Sequence, residues 1–306
     1  MSWQGSLCEV ADCSKQSRSE HEKTLSQVIP SGDKQVVMTE ECKRLKILMK
    51  VLITTLLPKY VNLEDRAVVW KEEGAGEPLR LLCGLLEANA TSTEVLSFCR
   101  KEESKEKGCS LGAEGCKMIC EALTRNTTLT ELNMASNNIG DDGSKMIGEL
   151  LMSNTTLQKV HMWSNNIKEG GAKAISAALR SNTTLTLLDV GDNPFSTEGI
   201  KSISAALEKN SVLTTLSLGG CRDIDGKVGA KELCEGLKKN TVLKTLYLHH
   251  VTSFGDDGAK ALCEALKTNT SLTCLKMWDT NIGNELQERI REAIETRKGS
   301  VTFKTP

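Results

Sequence analysis

Apolar residues along this chain recur in a fixed frame. Leu-x-x-Leu-x-Leu, or an aliphatic equivalent, stands at Leu129/Leu132/Met134, Leu157/Val160/Met162 and Leu185/Leu188/Val190. It returns at Leu213/Leu216/Leu218, Leu243/Leu246/Leu248 and Leu272/Leu275/Met277, the first Leu advancing by 28, 28, 28, 30 and 29 residues. Period-two alternation of this kind predicts a short strand with one buried face. Five positions on comes a further apolar residue, Ile139, Ile167, Phe195 or Ile282; one-residue insertions move its counterparts to Ile224 and Phe254. The period then changes. Residues 115–123, 143–151, 171–179, 199–207, 229–237 and 258–266 carry apolar side chains at helical spacing, as in Ile175, Ala178 and Leu179. Asn follows each helix, at 126, 154, 182, 210, 240 and 269, where its tolerance of left-handed backbone is expected to end the helix. Each unit is therefore strand, turn and helix. A unit so small cannot bury its own apolar face, so the copies must stack.

In this frame and in Asn137, Asn165 and Asn193, which fall at the turn, the chain resembles the leucine-rich repeat family in its ribonuclease-inhibitor-like form. The resemblance covers residues 126–297 well and 78–125 weakly. It implies an α/β fold: a curved solenoid, or horseshoe, with parallel strands on the concave face, helices on the convex face and an N-terminal helical cap. It also implies binding of other proteins through variable residues, as in the repeat domains of the NOD-like receptors of innate immunity.

The ends depart from the frame. Residues 1–36 are polar and read as a flexible tail. Residues 37–88 read as the helical cap, with helices expected over 39–57, 63–71 and 78–88, and with Pro78 suited to a first turn. Thr93, Leu96 and Phe98 fit a degenerate first strand, 36 residues ahead of the next, and the charged stretch 101–107 reads as a loop inserted after it. The solenoid is expected to occupy 89–297. Residues 286–297 form its closing helix, with Leu286, Ile290 and Ile294 inward, and 298–306 read as a C-terminal tail.

Composition narrows the function. With 39 Lys+Arg against 40 Asp+Glu the formal net charge is -1, which argues against nucleic acid and against a polybasic membrane contact. No apolar stretch is long enough for a membrane span, and residues 1–6 hold no signal core, so a cytoplasmic protein is expected. Three of the 12 Cys, at 120, 234 and 263, share one helix slot with Gly148, Ser176 and Ser204; that slot selects small size rather than thiol chemistry. Cysteine spacing fits no zinc site, and His249-His250, expected to point to opposite faces of a strand, make a poor chelate. Neither metal nor small-molecule cofactor is expected. No Walker A, GxSxG, HExxH or GxGxxG motif is present. Cys221-Arg222-Asp223 echoes the Cys-x-Asp of bacterial repeat-containing ubiquitin ligases, but sits in a repeat turn. No catalytic residue is assigned, and the chain is expected not to be an enzyme.

Candidate binding residues follow from the alternation. The residues before and after the third apolar position of each strand face outward: Asn133/Ala135, His161/Trp163, Asp189/Gly191, Ser217/Gly219, Tyr247/His249 and Lys276/Trp278. Of four Trp and two Tyr in the chain, Trp163, Trp278 and Tyr247 take these slots. Trp and Tyr dominate interface hot spots, so Trp163, Tyr247, His249, Lys276 and Trp278 are the expected recognition surface, with His161 and Asp189 adding polarity. Longer turns at 219–229 and 249–258 are further candidate contact sites. Lys recurs on every helix, at 117, 145, 173, 201, 231 and 260. Glu four residues later, at 121, 149, 235 and 264, suggests a neutralised, solvated face. Asn-x-Ser/Thr sequons at 89, 126, 154, 182 and 269 belong to the repeat frame rather than to glycosylation. Two narrower roles come by resemblance. Capping proteins of the actin pointed end share the Asn-Thr/Ser-x-Leu junctions, and one family of GTPase-activating regulators is built from such repeats.

Overall fold

The computed structural model describes residues 61–64, 67–70, 77–87, 95–98, 110–221, 224 and 227–303. The chain divides into two compact units, Met1–Leu45 and Lys46–Pro306, and every described residue lies in the second. Strands β1 (Val61–Glu64) and β2 (Ala67–Trp70) precede helix α1 (Glu77–Glu87) and strand β3 (Val95–Ser97). Helix and strand then alternate: α2 (Gly112–Leu123), β4 (Glu131–Asn133), α3 (Gly140–Ser153), β5 (Lys159–His161), α4 (Glu169–Leu179) and β6 (Leu187–Asp189). The series continues with α5 (Thr197–Leu207), β7 (Thr215–Ser217), α6 (Gly229–Lys239), β8 (Thr245–Tyr247) and α7 (Gly255–Thr268). It ends with β9 (Cys274–Lys276), α8 (Asn284–Glu295) and β10 (Ser300–Thr302).

These strands form one sheet in sequence order. β1 and β2 are antiparallel; from β2 to β10 each neighbour is parallel. The register places Leu96, Leu132, Val160, Leu188, Leu216, Leu246, Leu275 and Val301 side by side. All but Val301 are wholly buried, facing the helices. Strands stand about 4.8 Å apart and packed helices about 8–10 Å apart. Joined one to one, the two layers must bend, with the sheet on the inside. The repeat unit is thus a curved leucine-rich-repeat solenoid whose sheet lines the concave face.

Small residues let the helices approach. Cys120, Gly148, Ser176, Ser204, Cys234 and Cys263 are all buried in the expected slot. A Cβ on Gly148 would lie 3.0 Å from the Ala174 carbonyl oxygen of the next helix. Burial pushes the Cys234 thiol up to about 12, so this sulfur packs and does not react at neutral pH.

Two sets of asparagines tie the layers together. The Asn137 Nδ2 donates to the carbonyls of Phe98, Met134 and Ala135, and its Oδ1 accepts from Leu111 N. Asn165 and Asn193 repeat this, each Oδ1 accepting two backbone N–H groups of the preceding repeat. The frame then places Cys221, Val251 and Thr280 where Asn would stand, and the Cys221 thiol makes a 3.6 Å contact to the Val190 carbonyl. The second set corrects the sequence expectation. Asn154, Asn240 and Asn269 cap their helices in extended, not left-handed, backbone. They are there for their amides. Asn154 Oδ1 accepts from Thr156 N and Leu157 N, while Nδ2 donates to Leu123 and Asn126 carbonyls of the repeat before.

Other expectations also change. The helix expected over 63–71 is not found among the described residues: β1 and β2 pair antiparallel there, in keeping with the β-branched Val61, Val68 and Val69. This pair extends the sheet before β3. The stretch read as a C-terminal tail contains β10, which pairs with β9 beyond the closing helix. The helical lysines pair toward the helix N-terminus: Lys145 with Asp142, Lys173 with Glu169, Lys201 with Glu198, Lys260 with Asp257. Those acids sit in first turns, where the helix dipole favours negative charge. The expectations for residues 1–36, 39–57 and 101–107 lie outside the described residues.

Candidate functional site

The outer face of the sheet carries two lateral rows. Parallel register aligns Asn133, His161, Asp189, Ser217, Tyr247 and Lys276 along one. Continuing backbone bonds align Trp163, Gly191, Gly219, His249 and Trp278 along the other, their carbonyls accepting from Ser136, Ser164, Asp192, Gly220 and His250. His161, Trp163, Asp189, Tyr247, His249, Lys276 and Trp278 are all half-buried on this face. Among the described residues no helix or strand lies over them.

Two clusters form. Across β8 and β9 the His249 ring stacks on Trp278, with centroids 4.6 Å apart and planes 18° apart. Tyr247 meets His249 edge-on at 6.1 Å, and His250 approaches Trp278 edge-on at 6.3 Å. The two histidines do not point to opposite faces, as strict alternation requires. His250 has φ 57°, the chain leaves the strand there, and the rings end 5.4 Å apart. His250 Nδ1 lies 3.0 Å from Asp279 Oδ2. His249 Nδ1 is buried without a hydrogen-bond partner among the described residues. Burial, then the neighbouring His250, lowers the His249 pKa, so the ring is neutral at pH 7.

Across β4 to β6 lies a charged cluster. His161 sits between carboxylates, Nε2 3.5 Å from Glu131 and Nδ1 3.9 Å from Asp189. Lys159 reaches Glu131 at 3.1 Å. Burial works to raise the Asp189 pKa, but His161, Ser217 and the Gly191 N–H together outweigh it and hold the carboxyl below its ordinary value. Glu131, Lys159 and Leu187 were not among the sequence candidates, although the same period-two alternation puts them on this face. Lys276 is held by the last strand, its Nζ donating to Thr302 Oγ1 at 3.0 Å. Trp163 stands apart from the other aromatics, two glycine rungs away from His249. Among the described residues no group of three or more His, Cys, Asp or Glu is placed to hold a metal ion. No described helix is long and apolar enough to cross a membrane.

Residues 125–148, 153–176 and 181–204 match the profile of the family described as Leucine Rich repeat. The chain carries leucine-rich repeats. The matched stretch is the one whose turns keep Asn137, Asn165 and Asn193; it stops before Cys221 breaks that ladder. No curated protein matches the sequence. Among solved structures, leiomodin-1 actin-binding site 2 is similar at 19% identity and a TM-score of 0.41, covering 58% of this chain and 87% of that one. The tropomodulin C-terminal domain of Caenorhabditis elegans is similar at 14% identity and a TM-score of 0.41, covering 61% and 93%.

Proposed function

We propose that this leucine-rich-repeat solenoid, of ribonuclease-inhibitor-like type, is a non-catalytic module that takes a protein partner on its concave face. It would serve as an inhibitor, scaffold or signalling adaptor in the cytoplasm. One observation supports this above the rest: the Trp278–His249 stack with Tyr247 at its edge, half-buried on a sheet face that no described element covers. Core packing needs no Trp, Tyr or His there, since aliphatic residues with Phe98, Phe195 and Phe254 fill the interior between sheet and helices. Rigid aromatic area on an open face is what interface hot spots use.

The test compares wild type with a Trp163→Ala/Trp278→Ala double variant in affinity capture from native lysate. The variant is expected to weaken capture by about 30-fold or more while unfolding at the same temperature. Equal capture by a folded variant removes the proposal. Two control arms address the narrower roles: co-sedimentation with filamentous actin, and single-turnover GTP hydrolysis by a small GTPase.

A further inference from the structure

The middle of the concave face differs from its flanks. Gly191 and Gly219 occupy consecutive rungs of the row that holds Trp163 on one side and His249 on the other. Gly219 is required by its neighbour, because a Cβ there would lie 2.3 Å from His249 Cε1. The imidazole therefore leans into the space above Gly219. Gly191 is required by the backbone, since a Cβ would come within 2.7 Å of the Gly219 carbonyl oxygen. With strands about 4.8 Å apart, the rungs of Trp163 and Gly219 are about 10 Å apart, with one rung free of a side chain between them. Both glycines are buried, so an incoming side chain would rest over the Asp189 and Ser217 side chains rather than on bare backbone.

Two carboxylates, Asp189 and Asp192, stand beside this notch. The Asp189 and Ser217 side chains come closest to Gly191, at 3.4 and 3.5 Å from where its Cβ would be. Asp192 follows in the exposed turn at φ 51°, its Oδ1 over the left-handed Gly220. Elsewhere on the face Glu131 is matched by Lys159. Asp189 has only His161 as an ion-pair partner, and Asp192 has no Lys or Arg partner, among the described residues. Lys276, three strands along, is committed to Thr302.

We propose that this notch receives an arginine side chain from an extended segment of the partner protein, its guanidinium lying between Trp163 and His249 and donating to Asp189 and Asp192. A guanidinium is flat, stacks on aromatic faces and has only donors, whereas a carboxylate has only acceptors. The neutral state of His249 at pH 7 leaves that flank free of a repelling charge. The inference rests on the concave-face reading above and specifies its ligand.

The test pans a random dodecapeptide display library on the full chain. Enriched peptides are expected to share an arginine. A synthetic peptide from the pool is expected to lose about tenfold or more in affinity when that arginine becomes norleucine, and again on the Asp189→Asn/Asp192→Asn protein. Asp192→Asn alone, at an exposed position, should cost several-fold without touching the fold. Enrichment without arginine, no enrichment, or peptide binding indifferent to both Asn variants overturns the inference. If Trp163→Ala/Trp278→Ala abolishes peptide binding while the Asn variants do not, the face remains the binding surface and the arginine assignment alone falls. If neither changes it, both fall.

Discussion

At the scale of the residue, asparagine does more to define this protein than leucine. Asn165 accepts from Asn137 N and Ile139 N and donates to Met134 and Trp163 carbonyls, so one side chain satisfies four backbone groups in two repeats. Replacing it with Ala leaves buried donors without acceptors, at about 1–3 kcal/mol each. Asn165→Ala is expected to lose at least about 3 kcal/mol in urea unfolding, whereas Asn166→Ala, exposed at φ 57°, should lose about 1. The recurrence of Asn was legible in the sequence, but the purpose of the second set was not. Asn154 was expected to end its helix in left-handed backbone, yet it is extended and bonded to Leu123, 31 residues away. A side chain whose partner is one repeat distant shows its period in the sequence and hides its bond.

At the scale of the element, each helix is held at a fixed distance from the next by side chains that are nearly absent. On α6 a Cβ at Gly236 would meet the Ser204 Oγ at 2.5 Å and the Ser204 carbonyl oxygen at 2.6 Å. Gly236→Leu should therefore push α6 from α5 and destabilise by about 1–3 kcal/mol or more in thermal unfolding, while Gly84→Ala, which meets nothing within 4 Å, should not. Elements whose apolar period repeats were read correctly, from β4 through α8. Ahead of the repeat, α1 and β3 also fall where the sequence places a helix and a degenerate strand, whereas the β1–β2 pair and β10 do not follow from it. Val61, Val68, Val69 and Trp70 allow either a helical or a strand reading over so few residues, and the neighbouring β3 decides it. Strand β10 has one apolar residue, Val301, and owes its existence to pairing with β9.

At the scale of the molecule, contacts run between adjacent repeats, so stability is a chain of nearest-neighbour terms. Strands β5 to β7 have a full repeat on each side, whereas β10 has a partner on one side only. Amide hydrogen exchange should be slowest in β5–β7 and fastest in β10 and α8, with Leu216→Ala lowering protection by about 2–5 kcal/mol and Val301→Ala affecting only the last repeat. Uniform protection would mean that the stack opens as one unit. The candidate face was legible as positions, since alternation alone put Trp163, Tyr247 and Trp278 on it. The stack of His249 on Trp278, the glycine notch and the ion pairs of Glu131 depend on side chains from different strands meeting at close range, which no linear pattern records.

The inward asparagines also decide where this protein can be manufactured. Asn126, Asn154, Asn182 and Asn269 head Asn-x-Ser/Thr triplets, yet their amide nitrogens donate to buried carbonyls. A secretory host transfers oligosaccharide to that same nitrogen while the chain is still unfolded, which would lock the repeats apart. Mutating the asparagines is no remedy, because the fold uses them. Nature's own alternative is visible in Val212 and Val242, which replace the hydroxyl residue two places after Asn210 and Asn240 while keeping the same backbone bond. Copying that valine to positions 128, 156, 184 and 271 would remove these four acceptors and keep the backbone bonds of the asparagines, leaving Asn89 as the remaining sequon of the five.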